Sequence, residues 1–180
     1  STAYDAKGLI KSAIRDDNPV LFEEHKGLYR APALREVLPD EDYVVPLGKA
    51  RTVREGKDLT IVTYGAMVHK SVEAAETLSD EGVSVEVIDL RTLLPMDEEA
   101  IIDSVKRTGK LLVVHEDTRT GGIAGEIAMR VSEQAFEWLD GPMLRVTAID
   151  APVPYSGSLE DYFLPQTDDV LKAARYLAGY

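Results

Sequence analysis

The alternation of apolar runs with amphipathic segments after Leu59 is the feature that most restricts the fold of this chain. Four short apolar runs are typical of buried strands, and the segments between them repeat apolar residues every three or four positions, as helices do. Strands that alternate with helices predict an α/β fold with a mainly parallel sheet. The segments are, in order, DLTIVTYG, MVHKSVEAAETLSDEG, VSVEVIDL, DEEAIIDSVKRTG, KLLVV, IAGEIAMRVSEQAFEWL, LRVTAI and TDDVLKAARYLAG.

Capping residues set the expected ends of these helices. Asp97 is the predicted N-cap of one helix, and Gly82 and Gly109 are the predicted stops of two. Thr167 is the predicted N-cap of the last helix, whose first turn carries two Asp where the helix dipole favours them. Residues 150–166 are rich in Pro and Tyr and are predicted to form a long loop.

The part of the chain before this regular pattern contains one predicted helix and one predicted strand. Residues 19–24, PVLFEE, are typical of a strand buried in a sheet. A lone helix and strand cannot form a core, so we expect them to belong to a domain whose other elements lie elsewhere. Residues 31–46 are rich in Pro and acids, which is typical of a linker, and the short extended piece GKARTVREG follows. The predicted helix has its apolar face at Ala6, Leu9, Ile10, Ala13 and Ile14.

Composition restricts the class of partner. The 180 residues suffice for one full domain, or for one domain plus a piece of a neighbour. The net charge of −12 argues against nucleic acid and membrane partners, because both attract basic surfaces. The acidity suits either a basic protein partner or simple solubility. The absence of Cys excludes disulfides, thiolate metal sites and thiolate nucleophiles.

A glycine-rich joint follows the run KLLVV, in HEDTRTGGIAGEIAMRV. Gly121, Gly122 and Gly125 give the pattern G-G-x-x-G, which does not match the dinucleotide fingerprint G-x-G-x-x-G, and no Lys-Ser or Lys-Thr follows as in a P-loop. We interpret the glycines as a tight turn with close packing of helix on sheet rather than as a nucleotide site.

Acidic and histidine side chains suggest several sites, none of which has strong support from spacing alone. His115, Glu116 and Asp117 follow a predicted parallel strand, where α/β sheets bind ligands. Consecutive strand residues point to opposite faces, so a structural role is favoured over acid–base catalysis for His115 and Glu116. The same argument applies to the pair Glu23 and Glu24. The remaining histidines, His25 and His69, lack zinc-site spacing.

The stretch SAIRDDNP, residues 12–19, ends the first predicted helix with two acids where the dipole is negative. Free carbonyls at a helix end, together with carboxylate and amide oxygens, are the ligands that a hard cation prefers. The pattern is therefore compatible with a bound potassium ion or with a solvated acidic turn.

Several stretches together resemble one known family. YDAKGLIKSAIRDDNPVLFEEHKGLYR, VIDLRTLLPMD, VVHEDTRTGGIAGEIAMRV and DAPVPYSGSLEDYFLPQ are similar, in this order, to the beta subunit of the thiamine diphosphate-dependent 2-oxo acid dehydrogenases. The branched-chain type is favoured over the pyruvate type. The resemblance implies that residues 1–30 are the last helix and strand of a pyrimidine-binding domain, residues 31–46 a linker, and residues 47–180 a transketolase-like C-terminal domain.

The resemblance also implies cofactors and partners. The whole enzyme of that family uses thiamine diphosphate with magnesium to decarboxylate a 2-oxo acid, and the cofactor and catalytic residues are expected outside this segment. The implied partners are an alpha subunit, a second beta subunit, and the subunit-binding domain of the acyltransferase core. The implied location is the cytoplasm, or the mitochondrial matrix in a eukaryote. A pyruvate or acetoin enzyme and a non-catalytic assembly module are the alternatives.

A structural potassium ion belongs to the same resemblance. Matched by position, its ligands in this chain would be the carbonyl oxygen of Ala13 and the side chains of Asp16 and Asn18. The other ligands would come from residues outside this segment. No catalytic residue and no cofactor-binding residue is implied within the 180 positions.

Overall fold

A five-stranded sheet is the middle layer of the structure, a computed structural model that describes residues 1–180 apart from the side chain of residue 33. The strands are β1 (Arg51–Arg54), β2 (Leu59–Thr63), β3 (Val85–Asp89), β4 (Leu111–Thr118) and β5 (Leu144–Ala148). Their order across the sheet is β1-β3-β2-β4-β5. Strand β1 is antiparallel to β3, and the other neighbours are parallel, which confirms the predicted α/β fold with a mainly parallel sheet.

Helices cover both faces of the sheet. Helices α2 and α6 pack on one face, and α3 and α4 pack on the other. No helix among the described residues is long and apolar enough to cross a membrane. The helices are α1 (Ala3–Arg15), α2 (Met67–Asp80), α3 (Glu98–Thr108), α4 (Ala124–Ala135), α5 (Gly157–Phe163) and α6 (Thr167–Ala178), with short 3-10 turns at Leu28–Arg30, Pro32–Leu34 and Phe136–Trp138.

The apolar runs of the sequence follow from this layering. In β4, Leu112 and Val114 pack with α2 and α6, whereas Leu111 and Val113 pack with α3 and α4. Successive strand residues point to opposite faces, and both faces are covered by helices, so both sets must be apolar. This explains why KLLVV is continuous and does not alternate with polar residues.

Three of the predicted helix ends are confirmed, and one is wrong. The side chain of Asp97 accepts a hydrogen bond from the backbone of Ala100, and Gly82 and Gly109 have φ values of +85° and +68°, which glycine adopts without strain. Thr167 was the wrong N-cap for α6. Gln166 takes that place, because its backbone N–H donates to Asp169 at 2.9 Å while the Thr167 hydroxyl donates to Glu73.

Two other expectations about local structure are corrected. Residues 19–24 form no strand with any of the described residues, and the Leu21 side chain is 87% exposed. A strand needs a neighbour with free backbone groups, and none of the described strands pairs with this segment. The region 150–166 is not all loop, since it contains α5, whose Phe163 is buried.

Residues 36–45, within the predicted linker, lie along α1. Tyr43 stacks on Tyr4 with ring centroids 4.3 Å apart, and Asp42 forms ion pairs with Lys11 at 2.5 Å and Arg15 at 2.9 Å. The approach is close because α1 has Gly8 here, where an added Cβ would lie 2.4 Å from a methyl group of Val45. We call this the 36–45 segment.

Candidate functional site at the carboxyl edge of the sheet

Polar side chains meet where the parallel strands end. Strands β2, β3 and β4 are parallel neighbours, and ligands of open α/β sheets bind outside the carboxyl ends of such strands. Two groups of side chains lie at this edge. The first, the His115 group, contains His25, Tyr64, His115 and Glu116, and the second, the Asp5 group, contains Asp5, Arg51 and Arg91.

His115 is fully buried near the end of β4. Neither ring nitrogen has a hydrogen-bond partner among the described residues. The ring lies against Tyr64, with centroids 6.3 Å apart. Burial lowers the pKa of His115, and the nearby charge of Asp117 opposes that shift only in part. The imidazole is therefore mainly neutral at pH 7.

Glu116 pairs with His25 and forms no hydrogen bond with His115. The register of β4 against β5 is irregular between Val114 and Thr118, and the Glu116 carboxylate is 3.2 Å from Nε2 of His25. A structural role for this pair stays a prediction. Tyr64 is also held in one protonation state, because burial and the charges of Asp117, Glu116 and Glu23 raise its pKa to about 12.

The glycine joint packs directly against His115. Gly121 has φ +80°, in the left-handed region. A Cβ on Gly122 would lie 2.5 Å from Cε1 of His115 and 2.7 Å from the Thr118 carbonyl oxygen. Space around Gly125 is open, so its lack of a side chain is not required for packing. The interpretation as a tight turn with close packing is confirmed for Gly121 and Gly122.

The burial of His115 predicts a pH dependence of stability. Its folded pKa lies below the ordinary 6.5, so the unfolded chain binds more protons between the two values. The stabilising contribution is present above about pH 6.5 and is lost as the pH falls towards the folded pKa. Urea unfolding of the wild type and of His115→Leu at pH 7.5 and 5.5 measures this effect. We expect a smaller loss on acidification in the variant, and equal losses would contradict the assignment.

The Asp5 group joins α1 to the sheet edge. The Asp5 side chain is 1% exposed and lies 2.7 Å from Nη2 of Arg91 and 3.5 Å from Nη1 of Arg51. The Thr2 hydroxyl donates to the same carboxylate. The sequence contained a signal for this site that our prediction missed. Asp5 lies four residues before the buried Leu9, so a charge sits on the buried face of α1.

The predicted potassium ligands lie at the end of α1. Asp16 and Asn18 are exposed, and both the backbone N–H and the side-chain amide nitrogen of Asn18 donate to one oxygen of Asp16, at 2.8 and 2.9 Å. Both bonds lower the pKa of Asp16, and the bond from the backbone has the larger effect. The other carboxylate oxygen, the Asn18 amide oxygen and the helix-end carbonyl of Ala13 are a donor set of the right chemistry for a hard cation. Among the described residues, no three His, Asp or Glu side chains come together as a metal site.

Comparison with known proteins decides the family. A family model for the transketolase C-terminal domain matches residues 48–170. The chain belongs to this family. A split-gene transketolase solved as an inactive beta4 tetramer shares the transketolase-like fold, with a TM-score of 0.63 and 28% sequence identity over 76% of this chain and 44% of that chain.

The relatives most relevant to function are beta subunits of 2-oxo acid dehydrogenases. The 2-oxoisovalerate dehydrogenase subunit beta of Bacillus subtilis is 48% identical over 181 residues, which is 100% of this chain and 55% of that protein. The pyruvate dehydrogenase E1 component subunit beta of the same organism is 49% identical over 97% of this chain and 53% of that protein. The transketolase-family chain therefore spans about half the length of the curated relatives it matches.

Proposed function

We propose that this transketolase-family chain is part of the beta subunit of the decarboxylating component of a 2-oxo acid dehydrogenase complex. The supporting observation is its similarity, over almost the whole chain, to beta subunits of two such enzymes. The reaction releases the carboxylate of the 2-oxo acid as CO₂ and transfers the acyl group to one sulfur of a lipoyl disulfide, which accepts the two electrons as its other sulfur becomes a thiol. A branched-chain 2-oxo acid is the proposed substrate, and pyruvate and acetoin enzymes are the alternatives.

The proposed role of this segment is assembly and docking. It contributes no catalytic residue, and thiamine diphosphate with magnesium would be held outside it. Residues 1–30 are proposed to be the end of a pyrimidine-binding domain. The side chains of Ile14 and Leu21 are 78% and 87% exposed, which supports the packing of other parts of that domain against them. Residues 31–46 would connect that domain to a transketolase-like domain over residues 47–180.

The proposed partners are an alpha subunit, a second beta subunit and the acyltransferase core. A net charge of −12 suits a basic subunit-binding domain on the core, chiefly by steering the encounter. Co-sedimentation of the assembled enzyme with the core, weakened by added salt, would support this docking role, and salt-independent or absent binding would contradict it. The complex is proposed to reside in the cytoplasm, or in the matrix in a eukaryote.

Substrate assays of the assembled enzyme test the function. The full-length beta chain is co-expressed with its alpha partner, and CO₂ release is measured with thiamine diphosphate and magnesium. We expect kcat/KM for 3-methyl-2-oxobutanoate to exceed that for pyruvate by about tenfold or more, the range that extra methyl groups in an apolar pocket give. The 180-residue chain alone is the control and should show no turnover. A preference for pyruvate or acetoin would favour the pyruvate or acetoin enzyme over the branched-chain type. An enzyme that assembles but has no activity would favour the non-catalytic assembly module.

A potassium ion at the end of α1 is part of the proposal. Its proposed ligands are the carbonyl of Ala13 and the side chains of Asp16 and Asn18. An ion that binds only the folded state stabilises it by about 2.7 kcal/mol at one hundred times its Kd. We expect KCl, but not NaCl at equal ionic strength, to raise the melting temperature of the assembled enzyme.

The matched variants for this test are neighbours in the sequence. Asp16→Ala is expected to remove the potassium-dependent rise in melting temperature, and Asp17→Ala, a change at the next exposed acid, is expected to keep it. A potassium-dependent rise in melting temperature that persists in Asp16→Ala, or that is absent in the wild type, would contradict the proposed site.

A further inference from the structure

We propose that Arg91 is a positioning residue that fixes α1 on the carboxyl edge of the transketolase-family domain. The inference rests on the proposed function in one respect, namely that α1 is the last helix of a pyrimidine-binding domain. Under that assignment, the Asp5 group sets how the thiamine half of the subunit is oriented on the transketolase half.

The carboxylate of Asp5 leaves α1 little freedom. It is buried almost completely, and Arg91, itself only 12% exposed, lies 2.7 Å from it. An ionised carboxylate that is out of water and loses its partner is strongly unfavourable, so α1 cannot shift away from Arg91 without a large penalty. Arg51 at 3.5 Å reinforces the pairing from the edge strand β1.

Arg91 is held by the sheet and not by α1. It follows the fully buried Leu90 just after β3, and its backbone N–H donates to the Asp89 carboxylate at 3.0 Å. Its φ of +59° is unfavourable for a residue with a side chain and persists only where the surroundings impose it. The guanidinium is therefore presented to α1 by a rigid part of the domain.

The same acid of β3 also binds Ser1, two positions before the start of α1. The Ser1 hydroxyl donates to Asp89, and the Ser1 carbonyl oxygen lies 2.8 Å from Nε2 of His69 at the start of α2. The start of α1 is thus connected to the ends of two elements of the domain. The rest of its contacts include the 36–45 segment, which would move with the helix.

A second arginine provides a matched control. Arg107 on α3 lies 2.7 Å from Glu86 of β3, whose side chain is also 1% exposed. This pair has the same chemistry as Arg91 with Asp5, but it joins two elements within the domain. Arg107→Met should therefore weaken the domain without changing the position of α1.

Hydrogen exchange of the assembled enzyme, with the full-length beta chain, measures the position of α1 directly. In Arg91→Met we expect the amides of α1 to exchange about tenfold faster or more, with α2 and α6 unchanged, because a local opening becomes more populated. Arg107→Met should leave α1 at the wild-type rate. Adding Asp5→Asn to Arg91→Met removes the unpaired charge and should bring back part of the protection. Wild-type exchange of α1 in Arg91→Met would overturn the proposal.

A kinetic readout separates positioning from general damage. We expect Arg91→Met to raise the thiamine diphosphate concentration for half-maximal rate by about tenfold, with kcat at saturation within about twofold, because the orientation of the thiamine half is coupled to cofactor affinity. Arg107→Met should show no such change, and a fall in kcat alone would contradict the positioning role. If the wild-type enzyme has no activity on any 2-oxo acid, the proposed function fails, and the exchange of α1 still decides the role of Arg91.

Discussion

Gly56→Ala is expected to lower the free energy of unfolding by about 3 kcal/mol, because the added methyl group would overlap backbone atoms of β3. A Cβ at this position would lie 2.1 Å from the backbone nitrogen of Glu86 and 2.1 Å from the carbonyl carbon of Val85, both in β3. The loop cannot easily move away, since the backbone N–H groups of Lys57 and Asp58 both donate to the Ser84 carbonyl. Urea unfolding followed by circular dichroism measures the effect.

Gly125→Ala is the matched control for this prediction. Gly125 lies in α4, and a Cβ there would meet nothing within 4 Å. Alanine in a helix is favoured over glycine, so this variant should be more stable than the wild type by about 0.5–1 kcal/mol. A Gly56→Ala protein that unfolds at the wild-type urea concentration would show that the close approach to β3 does not exist.

Ile127→Ala is expected to cost about 3–4 kcal/mol of stability. Ile127 is fully buried on α4, in the cluster that α3, α4 and one face of the sheet form. The substitution removes three carbon atoms from this cluster, and the surrounding residues can fill the cavity only in part. The same urea experiment measures it, with the m-value checked so that a change in midpoint reports a change in stability.

Met129→Ala on the same helix separates loss of packing from loss of helix propensity. The Met129 side chain is 56% exposed, so its truncation should change stability by no more than about 0.5 kcal/mol. Equal effects of Ile127→Ala and Met129→Ala would mean that α4 does not pack on the sheet in the register described.

The layered fold was predictable because its signals are local. The run KLLVV indicates a strand covered on both faces, and Asp97 and Gly109 mark the ends of α3 through bonds within a few residues. The error at Thr167 has a long-range cause, because the Thr167 hydroxyl binds Glu73 on α2. The strand expected at residues 19–24 failed for a similar reason, since apolar character gives no information about whether a neighbouring strand is present.

The candidate site was less predictable than the fold. The sequence interpretation of His115 assumed regular strand alternation, which is interrupted between Val114 and Thr118, and the contact of His115 with Gly122 depends on how the loop folds back. The pairing of Asp5 with Arg91 joins residues that are far apart in the chain, and no local pattern identifies the partner. The burial of Asp5 could have been predicted from its spacing to Leu9, whereas the identity of its arginines could not.

The attachment of α1 makes this helix comparable to a ligand that is tethered to its own receptor. Residues 46–50 form the tether between the 36–45 segment, which moves with α1, and strand β1 of the domain. Short tethers keep an attached group at an effective concentration on the order of millimolar. A separate peptide with the sequence of α1 would therefore have to be supplied above that concentration to compete. Weakening the contact should lower the occupancy of the bound helix gradually, without releasing it from the molecule.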